Sequence, residues 1–424
     1  MSGFAYKYGV LTVDGIDLTT IAAEWGTPTY IYSAAAIEER YRHFRDNVVP
    51  PSGKVHFAIK SNSNLAVLRL LARLGAGADI VSHGEMKRAL AAGFNPADIV
   101  FSGVGKTDAD ILAAFAANIG QINAESEAEV ERILALAADA HTREAGAVSC
   151  RLALRINPDV TTDTHEKIST GHGETKFGVA LADVPRLYRR IAESSVIAAG
   201  GLAVHIGSQI METGPFEDAW LVMRTLADEL IASGFDVPVL DLGGGLGVDY
   251  ATGEHADAAA LGRVVSNLFG NRSYQVGFEP GRYLTAHAGV LLTEVIYTKP
   301  AQGKVFMIVN GAMNDLIRPT LYEAFHPIAP VRPRPGDDVM TDVVGPVCET
   351  GDYFARDRMM PPAEAGDLVA VMSAGAYGAV MRSAYNTRPP AAEVMVIGGQ
   401  AHLISTRQSV EDLLALDSIP DVLA

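Results

Sequence analysis

Lys60 closes an apolar run, FAIK, where a buried ammonium would be costly. A lysine stripped of water has a lowered pKa and becomes a nucleophile toward carbonyl carbon. The alternative is a lysine whose stem lies along a strand end while its head reaches solvent. In DLGGGLG, Gly243, Gly244 and Gly245 let successive backbone N–H groups face a phosphate with no Cβ in the way. The spacing lacks G-x-G-x-x-G and no acidic ribose ligand follows, so one phosphate fits better than a dinucleotide; a tight strand-to-helix turn is the other reading. EPGR supplies the Glu279 carboxylate, Gly281 and Arg282. HIGSQ supplies the His205 imidazole, able to stack on a planar ring, and the Ser208 hydroxyl, able to donate to a phosphate. By default such a histidine is a satisfied core residue. Cys348, in the polar loop GPVCETGD, reads as a proton donor beside Glu349 or as an incidental surface thiol, whereas Cys150 reads as inert packing inside an apolar strand.

These groups need a frame that points them at one place. Eight β-branched runs, VHFAIK, GADIVS, IVFSG, QINAES, CRLALRIN, GLAVHIG, VLDLGGG and YQVGFEPG, alternate with helical stretches such as NLAVLRLLARLG and EAEVERILALAADA. That rhythm predicts successive βα units, and eight is the closure number of a TIM-type (β/α)8 barrel. An open doubly wound sheet gives no reason to stop at eight. Lys60, His83, Glu125, Asn157, His205, Gly243 and Glu279 all fall at the C-terminal ends of these runs, the rim where barrels carry their chemistry. Beyond Gly281 the segments VLLTEVIYT, KVFMIVN, DLVAVMS and AEVMVIG predict a mostly antiparallel β domain, and the first 32 residues are also strand-rich. The expected division is a barrel over 33–282 and a second domain from 1–32 and 283–424.

The 424 residues are 48% apolar and 20% charged, enough for a large core in two domains. A net charge of −16 without a basic block argues against a phosphate-backbone partner, so no nucleic acid is expected. The N-terminus shows no secretory signal, no apolar run is long enough to span a bilayer, and two cysteines fit a reducing compartment. A cytoplasmic location with no membrane partner is expected. The sequence yields no metal-ligand set.

FAIKSN, HIGSQ, DLGGGLG, EPGR, CETGD and GAYG, in this order and spacing, resemble the fold-type III decarboxylases that use pyridoxal 5'-phosphate. NPDVTTDTHEKISTGHGETKFG, MNDLIRPTLYEAFHPI and AYGAVMRSAYNTRP are similar, more specifically, to the diaminopimelate decarboxylases. The resemblance runs from Tyr30 to about Val396. It implies that Lys60 carries the cofactor as a Schiff base, that His205 stacks on its ring and that Glu279 keeps the pyridine nitrogen protonated. It further implies that Ser208, Gly243, Gly244, Gly245, Gly281 and Arg282 surround the phosphate and that Tyr377 of GAYG approaches from the second domain. Arg282, Arg318, Tyr322, Glu349 and Tyr377 match substrate-contacting positions. Cys348 and Glu349 are implied to reach a second copy's site, making a homodimer with shared sites. Ser61 after the lysine, SHGE and NGAMNDL depart from the family's commoner forms.

The implied reaction is decarboxylation of meso-2,6-diaminopimelate to L-lysine and CO2 in lysine biosynthesis, with Cys348 or Lys60 returning the proton to Cα. Arginines offer planar bidentate recognition of a distal carboxylate, and Glu349 accepts from the adjoining ammonium. An ornithine- or arginine-type decarboxylase is the alternative within the class, and it leaves Arg318 unexplained. A non-catalytic carrier of the cofactor has no need of Cys348, Glu349 and Arg318. A racemase needs paired acid and base on both faces of Cα, which the decarboxylase-like tail disfavours.

Overall fold

The computed structural model describes residues 3–144, 148–160, 176–272 and 274–423. Most of the segment NPDVTTDTHEKISTGHGETKFG, from 161 to 175, lies outside the described residues. The chain forms two compact units. One runs from Arg40 to Asp249 and from His255 to Tyr283; the other runs through Glu39, takes in Tyr250–Glu254, and resumes at Leu284.

In the first unit eight parallel strands occupy the eight expected runs: Lys54–Ala58, Gly77–Ile80, Ile99–Phe101, Gln121–Ala124, Arg151–Asn157, Ala198–Ala203, Val239–Asp241 and Gln275–Phe278. The eighth pairs with the first through Gly277↔Lys54 and Phe278↔Val55, which closes the ring. A helix follows each of the first seven strands, as a right-handed βα progression requires. Their starts are written in the sequence. Asn64 accepts from the Ala66 N–H, Ser82 from Glu85, and Thr107 with Asp110 forms a reciprocal capping box, each cap worth about 1 kcal/mol. Strand residues facing the helices are fully buried, among them Phe57, Ile80, Ile122, Leu154, Leu202 and Leu240. Trp220 donates from its indole N–H to the Leu242 carbonyl at 3.1 Å and packs on Phe278, fixing its helix to the strand that carries the glycine run.

Two sequence expectations shift slightly. Lys60 lies past the first strand, in the single 3-10 turn Ile59–Ser61, because the Ser61 hydroxyl and the Asn62 N–H turn back to Ala58 and Ile59. Cys150 is buried one residue before its strand rather than inside it, and burial pushes its thiol up to about 12, which leaves it inert.

The second unit is built on a mostly antiparallel sheet in the order Tyr353–Met360, Val339–Val344, Lys304–Val309, Gly289–Ala301, Thr29–Ser33, Ala392–Ile397 and Gln400–Ser405, with Leu368–Val371 also pairing with Gly289–Ala301 and Ile328–Pro330 pairing in turn with Leu368–Val371. The early chain adds a small sheet, Phe4–Lys7, Val10–Val13 and Ile16–Asp17, and the helix Leu18–Trp25. Leu11, Val13, Leu18 and Ile21 share a core with Ile31, Val290, Leu292 and Val394. The N-terminal segment is thereby tied to the late strands. Among the described residues no helix is long and apolar enough to cross a membrane, and no group of His, Cys, Asp and Glu is arranged to hold a metal ion.

Candidate active site

At the C-terminal rim of the barrel the turn Ile59–Ser61 presents Lys60, whose Nζ lies 2.6 Å from Asp79 Oδ2. The aspartate side chain is wholly buried and the lysine 31% exposed, so the amine stands at the boundary between barrel interior and open space. Asp79 Oδ1 is buried with no hydrogen-bond partner. The sequence reading found Lys60 and passed over Asp79. A carboxylate in the otherwise apolar run GADIV was the available signal, since such a group is seldom buried without a charge to meet.

Across the barrel mouth, Glu279 follows the eighth strand and is 6% exposed. Its Oε1 accepts from the Ser102 hydroxyl at 3.3 Å, Ser102 Oγ accepts from Asn123 Nδ2 at 3.1 Å, and Asn123 Oδ1 accepts from Gln121 Nε2 at 2.8 Å. Burial, then the negative charges of Asp241 and Asp79, hold the Glu279 carboxyl well above the usual carboxylate range. Its surroundings therefore favour the protonated form more than water does. Ser102, Asn123 and Asp241 were also missed, since each is an ordinary polar residue in its own strand until closure brings them together.

His205 lies two residues beyond the sixth strand, and its Nδ1 accepts from the Gly244 N–H at 3.3 Å, which leaves the ring proton on Nε2. Desolvation, then the charges of Lys60 and Arg155, drive its pKa well below the ordinary value, so the imidazole is neutral. Arg155, another residue the sequence reading missed, pairs with Glu125 at 2.8 Å and has its guanidinium 4.7 Å from the centre of the Phe177 ring. Glu125 also accepts from the Gly103 and Gly178 N–H groups, which ties three loops of the rim.

The glycine run packs between neighbouring strand ends. Gly243 and Gly245 have φ of +72° and +108°, and a side chain at Gly243 or Gly244 would collide with the carbonyl oxygen of Val204 or Glu279. Ser208 Oγ accepts from Arg282 Nη2 at 3.1 Å. A Cβ at Gly281 would come within 2.8 Å of Ser61 Oγ, so the unusual serine after the lysine and the glycine of EPGR fill one space. Lys60, Ser102, Arg155, Phe177, His205 and Glu279 line a cavity of about 390 Å³, within the range of small-molecule sites.

Arg318, Tyr322, Cys348, Glu349 and Tyr377 belong to the second unit. Arg318 is buried, 5.0 Å from the Tyr250 ring centre and 5.9 Å from that of Tyr322. Cys348 is exposed, and its N–H donates to Asn386 Oδ1 at 3.2 Å. A hydrogen bond to Glu349 raises the Tyr385 phenol beside it. Tyr377 adopts φ +54°.

Residues 34–286 match the family model described as "Pyridoxal-dependent decarboxylase, pyridoxal binding domain". The chain is 47% identical over 419 residues to the diaminopimelate decarboxylase of Pseudomonas aeruginosa, covering 99% of each. Its fold is similar to that of the M. jannaschii diaminopimelate decarboxylase crystallised in co-complex with L-lysine, with a TM-score of 0.93, 32% identity and 100% of both chains covered. It is also similar to the Helicobacter pylori diaminopimelate decarboxylase complexed with L-lysine, with a TM-score of 0.89, 36% identity and 94% of this chain and 99% of that one covered.

Proposed function

The chain belongs to the diaminopimelate decarboxylase family of pyridoxal-dependent decarboxylases, and from that membership we propose that it removes one carboxylate of meso-2,6-diaminopimelate as CO2, leaving L-lysine. The structural observation that carries the reading is one cavity lined by both an amine, Lys60, and a buried carboxyl group, Glu279. Pyridoxal 5'-phosphate, joined to an amine through its aldehyde carbon, supplies an electron sink for the pair left on Cα when a carboxylate departs.

The residues present fit that cofactor. Lys60 is the amine that holds it, and Asp79 keeps Lys60 at the cavity mouth until its nitrogen is engaged. Glu279 would share a proton with a ring nitrogen, since burial beside Asp241 and Asp79 raises its proton affinity. His205, kept neutral by burial and then by the charges of Lys60 and Arg155, with its Nδ1 accepting from the Gly244 N–H, offers an uncharged aromatic face. Ser208, Gly243, Gly244, Gly245, Gly281 and Arg282 supply hydroxyl, backbone and guanidinium groups suited to a phosphate.

On the substrate side we assign the distal carboxylate to Arg318 and Arg282, with Tyr322 and Tyr377 beside it and Glu349 accepting from the distal ammonium. Cys348 or Lys60 returns one proton to Cα, which replaces the lost carboxylate and balances the reaction. In this reading residues 33–282 are the cofactor module, while 1–32 and 283–424 complete the site. Cys348 and Glu349 serve the site of a second copy, which makes the enzyme an obligate homodimer. A cytoplasmic location belongs to the same proposal.

The test is CO2 release from meso-diaminopimelate, ornithine, arginine and lysine at equal concentration. Diaminopimelate is expected to be turned over fastest by a wide margin; faster release from ornithine overturns the substrate assignment.

A further inference from the structure

Arg318 is held in the second unit by two contacts that the reaction itself does not explain. Its Nε donates to His326 Nε2 at 3.3 Å, and its guanidinium lies 5.0 Å from the centre of the Tyr250 ring. His326 is wholly buried, and its Nδ1 lies 2.8 Å from the Met372 carbonyl oxygen. A carbonyl accepts only, so Nδ1 carries the proton and Nε2 presents the lone pair that Arg318 uses. The imidazole is therefore neutral and acts as an acceptor.

Tyr250 is itself bracketed by two histidine rings. His326 meets it edge-on at 5.1 Å and 70°, and His287 at 6.0 Å and 72°. His287 Nε2 faces the Glu254 carbonyl at 3.2 Å and its Nδ1 pairs with Ser373 Oγ at 2.7 Å. Ser373 follows Met372 directly and adopts φ +57°. The two histidines thus grip adjacent residues of one segment while Tyr250 stands between them.

We propose that His326 is a positioning residue for substrate specificity: by accepting from Arg318 Nε while Tyr250 supports the guanidinium face, it aims Arg318 at a carboxylate remote from the reacting carbon. This rests on the assignment of Arg318 to the distal carboxylate made above. A hydrogen bond at Nε fixes the guanidinium within its plane and a ring against its face fixes the plane itself. Bidentate recognition of a carboxylate requires both. Both supports are uncharged, so they orient the arginine without neutralising it. Phenylalanine at 326 keeps the ring's bulk and loses the acceptor; glutamine restores an acceptor on a side chain of similar reach.

The probes are L-lysine, which keeps the distal carboxylate, and cadaverine, which is lysine without it, each titrated into the pyridoxal-phosphate-loaded protein and followed by cofactor absorbance. His326→Phe is expected to weaken L-lysine roughly tenfold and to leave cadaverine within about twofold, as loss of one charge-assisted hydrogen bond implies. His326→Gln is expected to recover most of the loss, and in turnover the Phe variant raises KM with kcat nearly unchanged. Tyr250→Leu carries the same selective expectation if the Phe variant does not fold. Equal weakening of both ligands, or no change in either, overturns the proposal. Arg318→Ala separates the two levels. Selective loss of L-lysine in that variant without selective loss at 326 or 250 refutes the positioning role alone, whereas no selective loss in Arg318→Ala refutes the carboxylate assignment beneath it.

Discussion

The barrel and the second unit hold their chemical groups by different means. In the barrel, Lys60, Asp79, Ser102, Asn123, Asp241 and Glu279 come from six strands or the turns just after them, and the closed hydrogen-bond ring sets their spacing. In the second unit, Arg318 opens the short helix Arg318–Tyr322, while Cys348, Glu349 and Tyr377 lie on irregular segments braced by side chains. Asp352 accepts from the Met313 and Val347 N–H groups at 2.7 Å each, Asn386 accepts from Cys348, and Arg388 donates to Asn314 at 3.2 Å. Asn386, Thr387 and Tyr377 all take positive φ, a local cost tolerated where the surroundings dictate the backbone. A buried polar network in a rigid ring shifts proton affinities strongly, as Glu279 and His205 show. Braced loops around an exposed thiol instead hold groups outside any such buried network.

Substitutions can break this contrast, and the largest effect is expected at the amine. Lys60→Ala should lower turnover by about 10³-fold or more and abolish the visible band of the bound cofactor. Borohydride reduction and peptide mapping check the assignment, and a reduced adduct on another side chain would refute it. Glu279→Gln keeps the shape and removes the acid, so kcat should fall roughly 10²- to 10³-fold while the cofactor stays bound. An unchanged kcat would show that the Glu279 carboxyl plays no part. Cys348→Ala should cost roughly 10²-fold in kcat with cofactor content and melting temperature unchanged, because its side chain is exposed and outside the packed core. Full turnover in that variant would remove the thiol from the reaction.

The smallest effect sharpens the contrast from the second unit's side. Burial raises Asp315 from 3.8 to about 6. A folded-state pKa above the unfolded one gives stability that is complete below the unfolded value and is lost as pH rises through the folded value. Wild type should therefore lose up to about 3 kcal/mol from this group between about pH 4 and about pH 7, and Asp315→Asn should not. Melting both proteins across that window checks it, and parallel curves would refute it.

The sequence carried the eight barrel strands plainly because parallel strands covered on both faces read as short apolar runs set between helical stretches. The rim positions Lys60, His205 and Glu279 followed from those runs, since each polar group stands at the end of an apolar stretch. Asn123, Arg155 and Asp241 did not, because a lone polar residue in a strand carries no mark of the partners that closure gives it, and the carboxylate of Asp79 in an apolar run signals a charge to meet without naming Lys60. His326 and Tyr250 were still less legible. They come from distant parts of the chain, and only the folded second unit sets them around Arg318.

Pairing the eighth strand with the first has a consequence for association as well as for chemistry. The eight strands of the ring spend most of their ladder on one another, and among the described residues the two-residue strand Val179–Ala180, paired parallel to the end of Arg151–Asn157, adds to it. The larger sheet of the second unit does have margins, and one of them, Tyr353–Met360, carries Arg356, Asp357 and Arg358 in succession, with Asp357 at φ +49°. Charge and a local kink on that outermost strand discourage edge-to-edge growth, a protection that the long open margin of this sheet calls for.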